Sequence, residues 1–440
     1  MMNGSDRRTA AACPCPVARD SLYTPVRVAE LDLDEPSELR SPGGLGPVDP
    51  DGRVLALVRL HGHPLGLVKA TGAPGDTAGL RRALVDAAHR ELYIPSKSSA
   101  APGALPGRVG SGRASAEPPT VSVIVCTRNR EGMLRQCLDS LLRTGYPHVE
   151  VLVVDNAPSD DATEALVRAR YLDQVRYLRE PVAGLARARN AGLAAARGEI
   201  CAFTDDDALV DAGWVSALVD AFQADGRVGC VTGLVLPAEL DTEAQAGFEQ
   251  YGGYSKGFTA RSWSLSDRAD DPLLPFSVGK FGTGASMAFR TELLRSLGGF
   301  DTATGAGTRS RGGEDLLAFF QVLTGGHTVA YQPEAIAWHR HRRTMDALTA
   351  QIYGFGVGFG AYLAAAVTHE PAQLAGLVRR LPRGLWQWQT VRRGRAHVAC
   401  DGGNSQLRLG RKEFQGLLYG PFIYLFSVWQ QRNAQAESRP

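Results

Sequence analysis

The sequence predicts an α/β protein: a mostly parallel sheet with helices on both faces, preceded by a small α+β module and followed by a helical tail. Three observations predict it. From Thr120 onward, strand-like apolar runs alternate with amphipathic helical stretches, as in βαβ units. Three of these runs stop at polar clusters, Thr127-Arg128-Asn129, Asp155-Asn156 and Asp205-Asp206-Asp207, and ligands of open α/β sheets bind outside the carboxyl ends of the strands. Residues 96–119 are rich in Ser, Ala, Gly and Pro with few apolar anchors, a linker composition that separates this region from what precedes it.

In chain order, residues 1–20 read as a disordered tail. Residues 21–95 read as the small α+β module. Val26, Val28, Leu31 and Leu33 nearly alternate, Val54 to Leu60 is a buried strand, His61 to Gly66 is turn-like, Leu67-Val68 is a short run, and Leu80 to Leu92 is an amphipathic helix. The next region, 120–345, opens with the strand Val121 to Cys126. A helix follows with Met133, Leu134, Cys137, Leu138, Leu141 and Leu142 on one face. Val149 to Val154 is the second strand, and Ser159, Asp160 or Asp161 caps a helix through Ala169. Val175 to Leu178 is a third strand, Gly184 to Arg197 a third helix, and Ile200 to Thr204 a fourth strand. Trp214, Val215, Leu218, Val219 and Phe222 face one side of a fourth helix. Residues 346–440 form a helical extension.

The bulk numbers exclude some classes. A chain of 440 residues has room for two or three domains, and 44% hydrophobic with 21% charged residues is ordinary globular composition. A net charge of +2 gives no reason to expect nucleic acid as a partner. The seven cysteines include one close pair, Cys13-Pro-Cys15, and lack the second pair a zinc site wants, so reduced thiols in a cytoplasmic protein are expected. Met1 to Ala12 is polar and contains Arg7 and Arg8 without a following apolar segment, so no signal peptide is expected. Ala347 to His369 and Phe414 to Gln431 carry no formal charge, but both are interrupted by glycine and read as packed or membrane-surface helices rather than spans.

Three adjacent carboxylates at a strand end need a counter-charge. If the extended conformation persists, strand alternation puts Asp205 and Asp207 on one side, where a hard divalent ion, Mg²⁺ or Mn²⁺, suits them; a solvated acidic turn capping the next helix is the plain alternative. Neither a P-loop nor a dinucleotide Gly-x-Gly-x-x-Gly follows the first strand. Phosphate binding therefore falls to a metal, to basic side chains and to helix N-termini such as that after Gly184, where Arg187 and Asn190 share a face; Arg189 reads as solvated. Gly279 to Arg290 suits close backbone approach to a ligand at Gly284, or a simple turn. Glu314-Asp315 opens an apolar helix, as a dipole-favoured cap or as a general base beside a mobile loop at Thr304 to Gly313. His339 and His341 alternate onto one face if their strand continues; an imidazole suits Mn²⁺, and Arg340, Arg342 and Arg343 suit a diphosphate.

Together and in order, these pieces resemble family 2 glycosyltransferases of the GT-A fold, inverting and non-processive. The resemblance rests on Val121 to Arg130, Val153 to Asp160, Ala186 to Gly192, Ala196 to Glu199 before the Asp-x-Asp, Leu297 to Asp301, and Gly313-Glu314-Asp315, and it covers 120 to about 345. It implies a nucleotide-diphosphate sugar donor contacted by Thr127, Arg128, Asn129, Asp155, Arg187, Asn190, Asp205, Asp206 and Gly284. It implies Asp205, Asp207 and His339 as ligands of Mn²⁺ or Mg²⁺. Asp206, pointing the other way, belongs with the donor rather than the ion. Asp315 would be the catalytic base, with Glu314 placed at the acceptor. The acceptor would be a hydroxyl of a glycan, a lipid-linked molecule or a small molecule. The Gln-x-x-Arg-Trp sequence of processive synthases is absent, and Gln387-Trp388 and Gln389 do not supply it. A cytoplasmic enzyme touching the inner membrane face through its tail is expected, with packing of the tail on the catalytic domain as the competing expectation. A nucleotidyltransferase or a non-catalytic nucleotide-sugar-binding protein are the other readings.

Overall fold

The computed structural model describes residues 25–44, 46–50, 52–94, 117–267, 271–398 and 403–437. The expected N-terminal tail, nearly all of the expected linker, and Cys13-Pro-Cys15 lie outside the described residues. So do the side chains of Gln387, Trp388 and Gln389.

The N-terminal module is a four-stranded sheet with one helix: β1 (Val26–Asp32), β2 (Leu39–Arg40), β3 (Gly52–Leu60), β4 (His63–Gly72) and α1 (Thr77–Glu91), in strand order β2-β1-β3-β4. The turn between β3 and β4 is tighter than the sequence suggests. His61 and Gly62 both take positive φ, 53° and 77°, which closes a two-residue hairpin and draws Pro64 into β4 opposite Arg59. β3 lacks alternation because both its faces are covered. Val54, Ala56 and Val58 pack toward Leu80 and Leu84 of α1, while Leu55 and Leu57 pack onto the second sheet's Leu234, Leu236, Leu240 and Trp338. Polar ties complete the joint: Arg59 pairs with both Glu30 (2.7 Å) and Asp211 (2.6 Å), and Val26 N–H donates to the Leu240 carbonyl (3.0 Å).

The second sheet begins as βα units: β5 (Val121–Thr127), α2 (Glu131–Leu141), β6 (Val149–Asn156), α3 (Ala162–Arg170), β7 (Val175–Glu180), α4 (Leu185–Ala195) and β8 (Ile200–Asp205). It continues with β9 (Ala208–Val210), α5 (Trp214–Ala224), β10 (Val228–Pro237), α6 (Glu243–Tyr251), β11 (Arg261–Trp263), β12 (Ser286–Arg290), α7 (Thr291–Ser296), α8 (Glu314–Thr324) and β13 (Thr328–His339). The strand order is β11-β13-β10-β12-β8-β5-β6-β7, with β9 on β13. β8, β5, β6 and β7 are parallel throughout; β12 is inserted antiparallel to both β8 and β10. Strand order reverses at β5, between β6 on one side and β8 on the other, and such reversals open a crevice at the carboxyl ends.

Apolar cores cover both faces of this sheet. α2 and α5 lie on one face and α4 and α8 on the other. In α2 the buried stripe is Leu134, Cys137, Leu138 and Leu141; Met133, expected on that face, is exposed because it stands to one side of the stripe. Cys126, Cys137, Cys201 and Cys230 are free thiols, and burial pushes those of Cys126 and Cys201 up to about 12.

Three long helices follow: α9 (Met345–His369), α10 (Leu374–Val398) and α11 (Gly403–Glu437). Among the described residues, α9 alone is long and apolar enough to cross a membrane by length and composition, and 56% of its most apolar window is buried in the protein. α9 and α11 touch backbone to backbone. A Cβ at Gly356 or Gly360 would strike the carbonyls of Glu413 or Leu417, and one at Gly416 or Gly420 would strike those of Tyr353 or Val357. The tail is also keyed to the segment between α7 and α8, since Asp301 accepts from Tyr424 Oη (2.8 Å) and pairs with His369 Nε2 (2.9 Å). Gly420→Ala should therefore overpack this contact and destabilise the protein by roughly 1–3 kcal/mol. Gly384→Ala in α10, where nothing lies within 4 Å of the new methyl, should leave the thermal midpoint unchanged or slightly raised.

Candidate active site

The parallel register brings the polar strand ends together. Thr127 at the end of β5 is paired with Asp155 of β6, and Cys126 with Asp205 of β8. After Asp205 the chain turns through Asp206-Asp207 and returns as β9, antiparallel to β13, with Ala208 opposite His339. The Arg340 N–H donates to the Asp207 carbonyl (3.0 Å) and fixes that crossing. His339 Nε2 consequently lies 3.2 Å from Asp207 Oδ1 and 4.0 Å from Asp205 Oδ2.

The three carboxylates share some partners and differ in others. Asp206 is buried and turned away from His339: it accepts from Thr127 Oγ1 (2.8 Å) and Arg130 Nη1 (3.1 Å). Thr127 and Asp206 are thus bound to each other and brace the rim. Arg130, at the mouth of α2, also reaches Asp207 Oδ2 (3.1 Å). One carboxylate oxygen each from Asp205 and Asp207 and one ring nitrogen of His339 lie within 4.8 Å of one another, Asp207 and His339 buried and Asp205 open to the crevice. Two oxygens and one nitrogen at this spacing fit a hard divalent cation. Behind His339, its Nδ1 faces His341 Nδ1 (3.4 Å), and His341 Nε2 meets Glu249 Oε1 (2.7 Å). The strand stops at His339, so His341 turns to Glu249 and props the other ring instead of joining the cluster.

Charge crowding is visible in the protonation equilibria. Burial pushes the Asp206 carboxyl up to about 6, aided by the neighbouring Asp207. Burial also raises Asp205, against the opposing Arg189. Burial acts upward on Asp207 too, but His339 and Arg130 outweigh it and hold that carboxyl below its ordinary range. His339 is the reciprocal case: burial lowers it, and Asp207 more than restores it, so its pKa is raised.

The largest departure from the sequence reading is Arg189. It is not solvated but 3% exposed. Its guanidinium pairs with Glu314 (3.0 Å), approaches Asp205 (3.6 Å), donates to the Gly284 carbonyl (3.3 Å) and lies over the Phe300 ring (5.6 Å). A Cβ at Gly284 would stand 2.6 Å from this guanidinium, so the glycine serves Arg189. The Gly284 N–H donates to Asp315 Oδ2 (3.0 Å) and the Leu316 N–H to Asp315 Oδ1 (2.8 Å). With both its backbone groups used this way, Gly284 is a support for Arg189 and Asp315 rather than a donor contact. Glu314 is buried with Oε2 unpartnered, and burial raises it to about 7 despite Arg189. Asp315, half-buried, keeps a free lone pair on each oxygen.

Other expected contacts divide. Asn190 has a structural partner: its amide clamps the backbone of Phe300, donating to O (2.7 Å) and accepting from N (2.8 Å). Arg187 stands half-buried at the N-terminus of α4, beside Gly184, with no hydrogen-bond partner among the described residues. Asp155 is fully buried; it accepts from Tyr177 Oη (2.9 Å) through Oδ2, while Oδ1 has no partner. Arg128 is exposed, and Asn129, at φ 53°, accepts from Ser159 N–H (3.0 Å), joining the loops after β5 and β6. Of the arginines after His339, Arg340 and Arg343 are paired with Glu239, and Arg342 is exposed without a side-chain partner among the described residues while its charge acts on Asp207 and His339. The expected mobile loop at 304–313 is tied down: Gly305 N–H donates to Gly312 O (3.1 Å), Leu185 N–H to Ala306 O (2.8 Å), and Ser310 Oγ to Ala303 O (2.7 Å). Sequence reasoning missed Arg130, Arg189 and Tyr177. For Arg130 a signal existed, a cation closing the loop after β5.

Comparison with known proteins agrees with this geometry. The family model described as Glycosyl transferase family 2 matches residues 122–298. The pre-mycofactocin glycosyltransferase of Mycobacterium tuberculosis is 27% identical over 259 residues, which is 59% of this chain and 50% of that protein. The glucosyl-dolichyl phosphate glucuronosyltransferase of Haloferax volcanii is 22% identical over 192 residues, 42% of this chain and 57% of that protein. The chain thus spans about half the length of these curated relatives. Among solved structures, a mannosyltransferase from Pyrobaculum calidifontis in complex with GDP-Man and Mn²⁺ aligns with a TM-score of 0.46 at 21% identity, covering 69% of this chain and 87% of that one. The family match spans β5 through α7, so this part of the chain, with its strand-end carboxylates, is similar to family 2 glycosyltransferases.

Proposed function

We propose that the protein transfers one sugar per encounter from a nucleoside-diphosphate sugar to an acceptor hydroxyl, with inversion at the anomeric carbon. The observation that carries this is the convergence of Asp205, Asp207 and His339 at the crevice where the strand order reverses, with Arg189 linking Asp205 to Glu314 on α8. A Mn²⁺ or Mg²⁺ ion held by those three side chains would neutralise the diphosphate of the donor.

The chain's own groups supply the rest. The free Oδ1 of Asp155 is a buried acceptor for an N–H of the nucleotide base. Arg187 and Arg342 are cations without side-chain partners among the described residues, available to the diphosphate. Asp315 takes the proton of the acceptor hydroxyl as its oxygen bonds to the anomeric carbon and the bond to the diphosphate breaks. The Gly284 and Leu316 N–H groups fix the direction of its carboxylate. Glu314 positions rather than reacts: its charge pair with Arg189 ties α8 to α4 and to Asp205.

Purified full chain, screened for thermal stabilisation by nucleotide sugars with Mn²⁺, identifies the donor by the size of its shift. With that donor, Asp315→Asn should lower kcat by roughly 10²- to 10⁴-fold while changing donor affinity little. Asp207→Ala should abolish both transfer and the dependence of donor binding on Mn²⁺. Wild-type turnover in Asp315→Asn would overturn the base assignment, and metal-independent donor binding by the wild type would overturn the ion. Arg189→Met should cost about 3–5 kcal/mol of stability, because it leaves Glu314 buried and uncompensated. Adding Glu314→Met should recover much of that loss in a thermal melt without restoring transfer.

A further inference from the structure

α11 has two unlike faces. Gly416, Gly420, Ile423, Tyr424 and Ser427 are buried against α9 and the catalytic domain. On the other side Leu418, Phe422, Leu425 and Trp429 recur at helical spacing and are 58, 71, 54 and 57% exposed, with Tyr419 and Phe426 beside them. A contiguous stripe of this kind, unlike a scattered exposed leucine, marks a surface that meets something.

The charges say what it meets. No Asp, Glu, Lys or Arg occurs from Phe414 to Gln431. The same helix face carries exposed Arg411 one heptad before Leu418 and exposed Arg432 one heptad after Leu425, with Arg408 and Lys412 also exposed at the first end. At the edge of the stripe the Arg309 guanidinium lies 5.0 Å over the Phe426 ring. α10 repeats the chemistry: Leu374, Val378 and Leu381 are exposed at i, i+4 and i+7, Arg379 and Arg383 are exposed beside them, and Leu374–Val398 contains no Asp or Glu. A second copy seated on this face would set cations against cations in either direction of pairing, which is unfavourable. An anionic bilayer suits both parts at once. Its acyl boundary takes the apolar stripe, and its headgroups take arginines at both ends of a segment about 30 Å long lying in the plane.

We propose that the exposed face of α11, flanked by α10, docks flat on the surface of an anionic lipid bilayer. Through the Tyr424–Asp301 hydrogen bond and the Thr302–Gln431 contact (3.4 Å), docking holds the 301–313 loop, which leads into Glu314, next to that surface.

Vesicle co-sedimentation of the full chain tests this without reference to activity. The protein should bind phosphatidylcholine vesicles containing about one-quarter phosphatidylglycerol, and bind pure phosphatidylcholine about tenfold more weakly. Phe422→Ser/Trp429→Ser should reduce binding to the anionic vesicles by about tenfold or more with an unchanged thermal melt. Arg411→Gln/Arg432→Gln should weaken anionic binding about tenfold and leave the neutral vesicles unaffected. Failure of the wild type to sediment with anionic vesicles would overturn the proposal. So would equal binding by Phe422→Ser/Trp429→Ser, or a lipid-free dimer that this variant dissociates.

Discussion

Crowded negative charge at the end of β8 is the constraint on which the catalytic half of this structure depends. Asp205, Asp206 and Asp207 are consecutive, and α8 brings Glu314 to the opposite side of Arg189 from Asp205. Like charges about 4 Å apart repel by about 4 kcal/mol at the effective dielectric of a protein interior near its surface. Fixed cations answer part of this. Arg130 takes Asp206 and one oxygen of Asp207, Arg189 takes Glu314 and approaches Asp205, and His339 takes the other oxygen of Asp207. What remains uncompensated faces the crevice, and it is the part a divalent ion would occupy.

Much of the fold can be understood as the means of delivering those counter-groups. The β9–β13 pairing exists opposite His339 and carries the imidazole to Asp207 from a distant point in the chain. Gly284, lacking a Cβ, lets the Arg189 guanidinium enter from α4, and Asn190, one residue on, pins the Phe300 backbone so that its ring lies against that guanidinium. The N-terminal module closes the outer side of the same region, with Arg59 bonded to Asp211 just beyond β9 and Leu57 packed with Leu209 and Trp338. The tail reaches the segment before α8 through Asp301.

The rim was legible because its signals are local. Apolar runs that stop at Thr127, Asp155 and Asp205 declare strand ends; Asp206 does face away from His339, but through the turn at Asp206-Asp207 rather than through strand alternation. Arg189 was not legible: a helical arginine in an alanine-rich stretch looks solvated, and its partner Glu314 is distant in sequence. The partner of Asn190 was hidden for the same reason, since the backbone it clamps belongs to a different helix end. The glycines at 354, 356, 358 and 360 read as breaks in an apolar helix. The purpose of Gly356 and Gly360 appears only when Glu413, Leu417 and Gly420 of α11 lie against them, and that of Gly358 when Gly312 and Gly313 do. The 304–313 loop looked mobile by composition, yet its backbone groups bond to each other and to α4.

The most direct measurement is the anomalous scattering of Mn²⁺ in crystals of the full chain grown with a nucleoside diphosphate. One peak is predicted, bounded by carboxylate oxygens of Asp205 and Asp207 and by Nε2 of His339, with Asp206 still on Thr127 and Arg130. No peak at saturating Mn²⁺, or a peak that excludes His339 and Asp207, would contradict the assignment of the uncompensated charge to a metal.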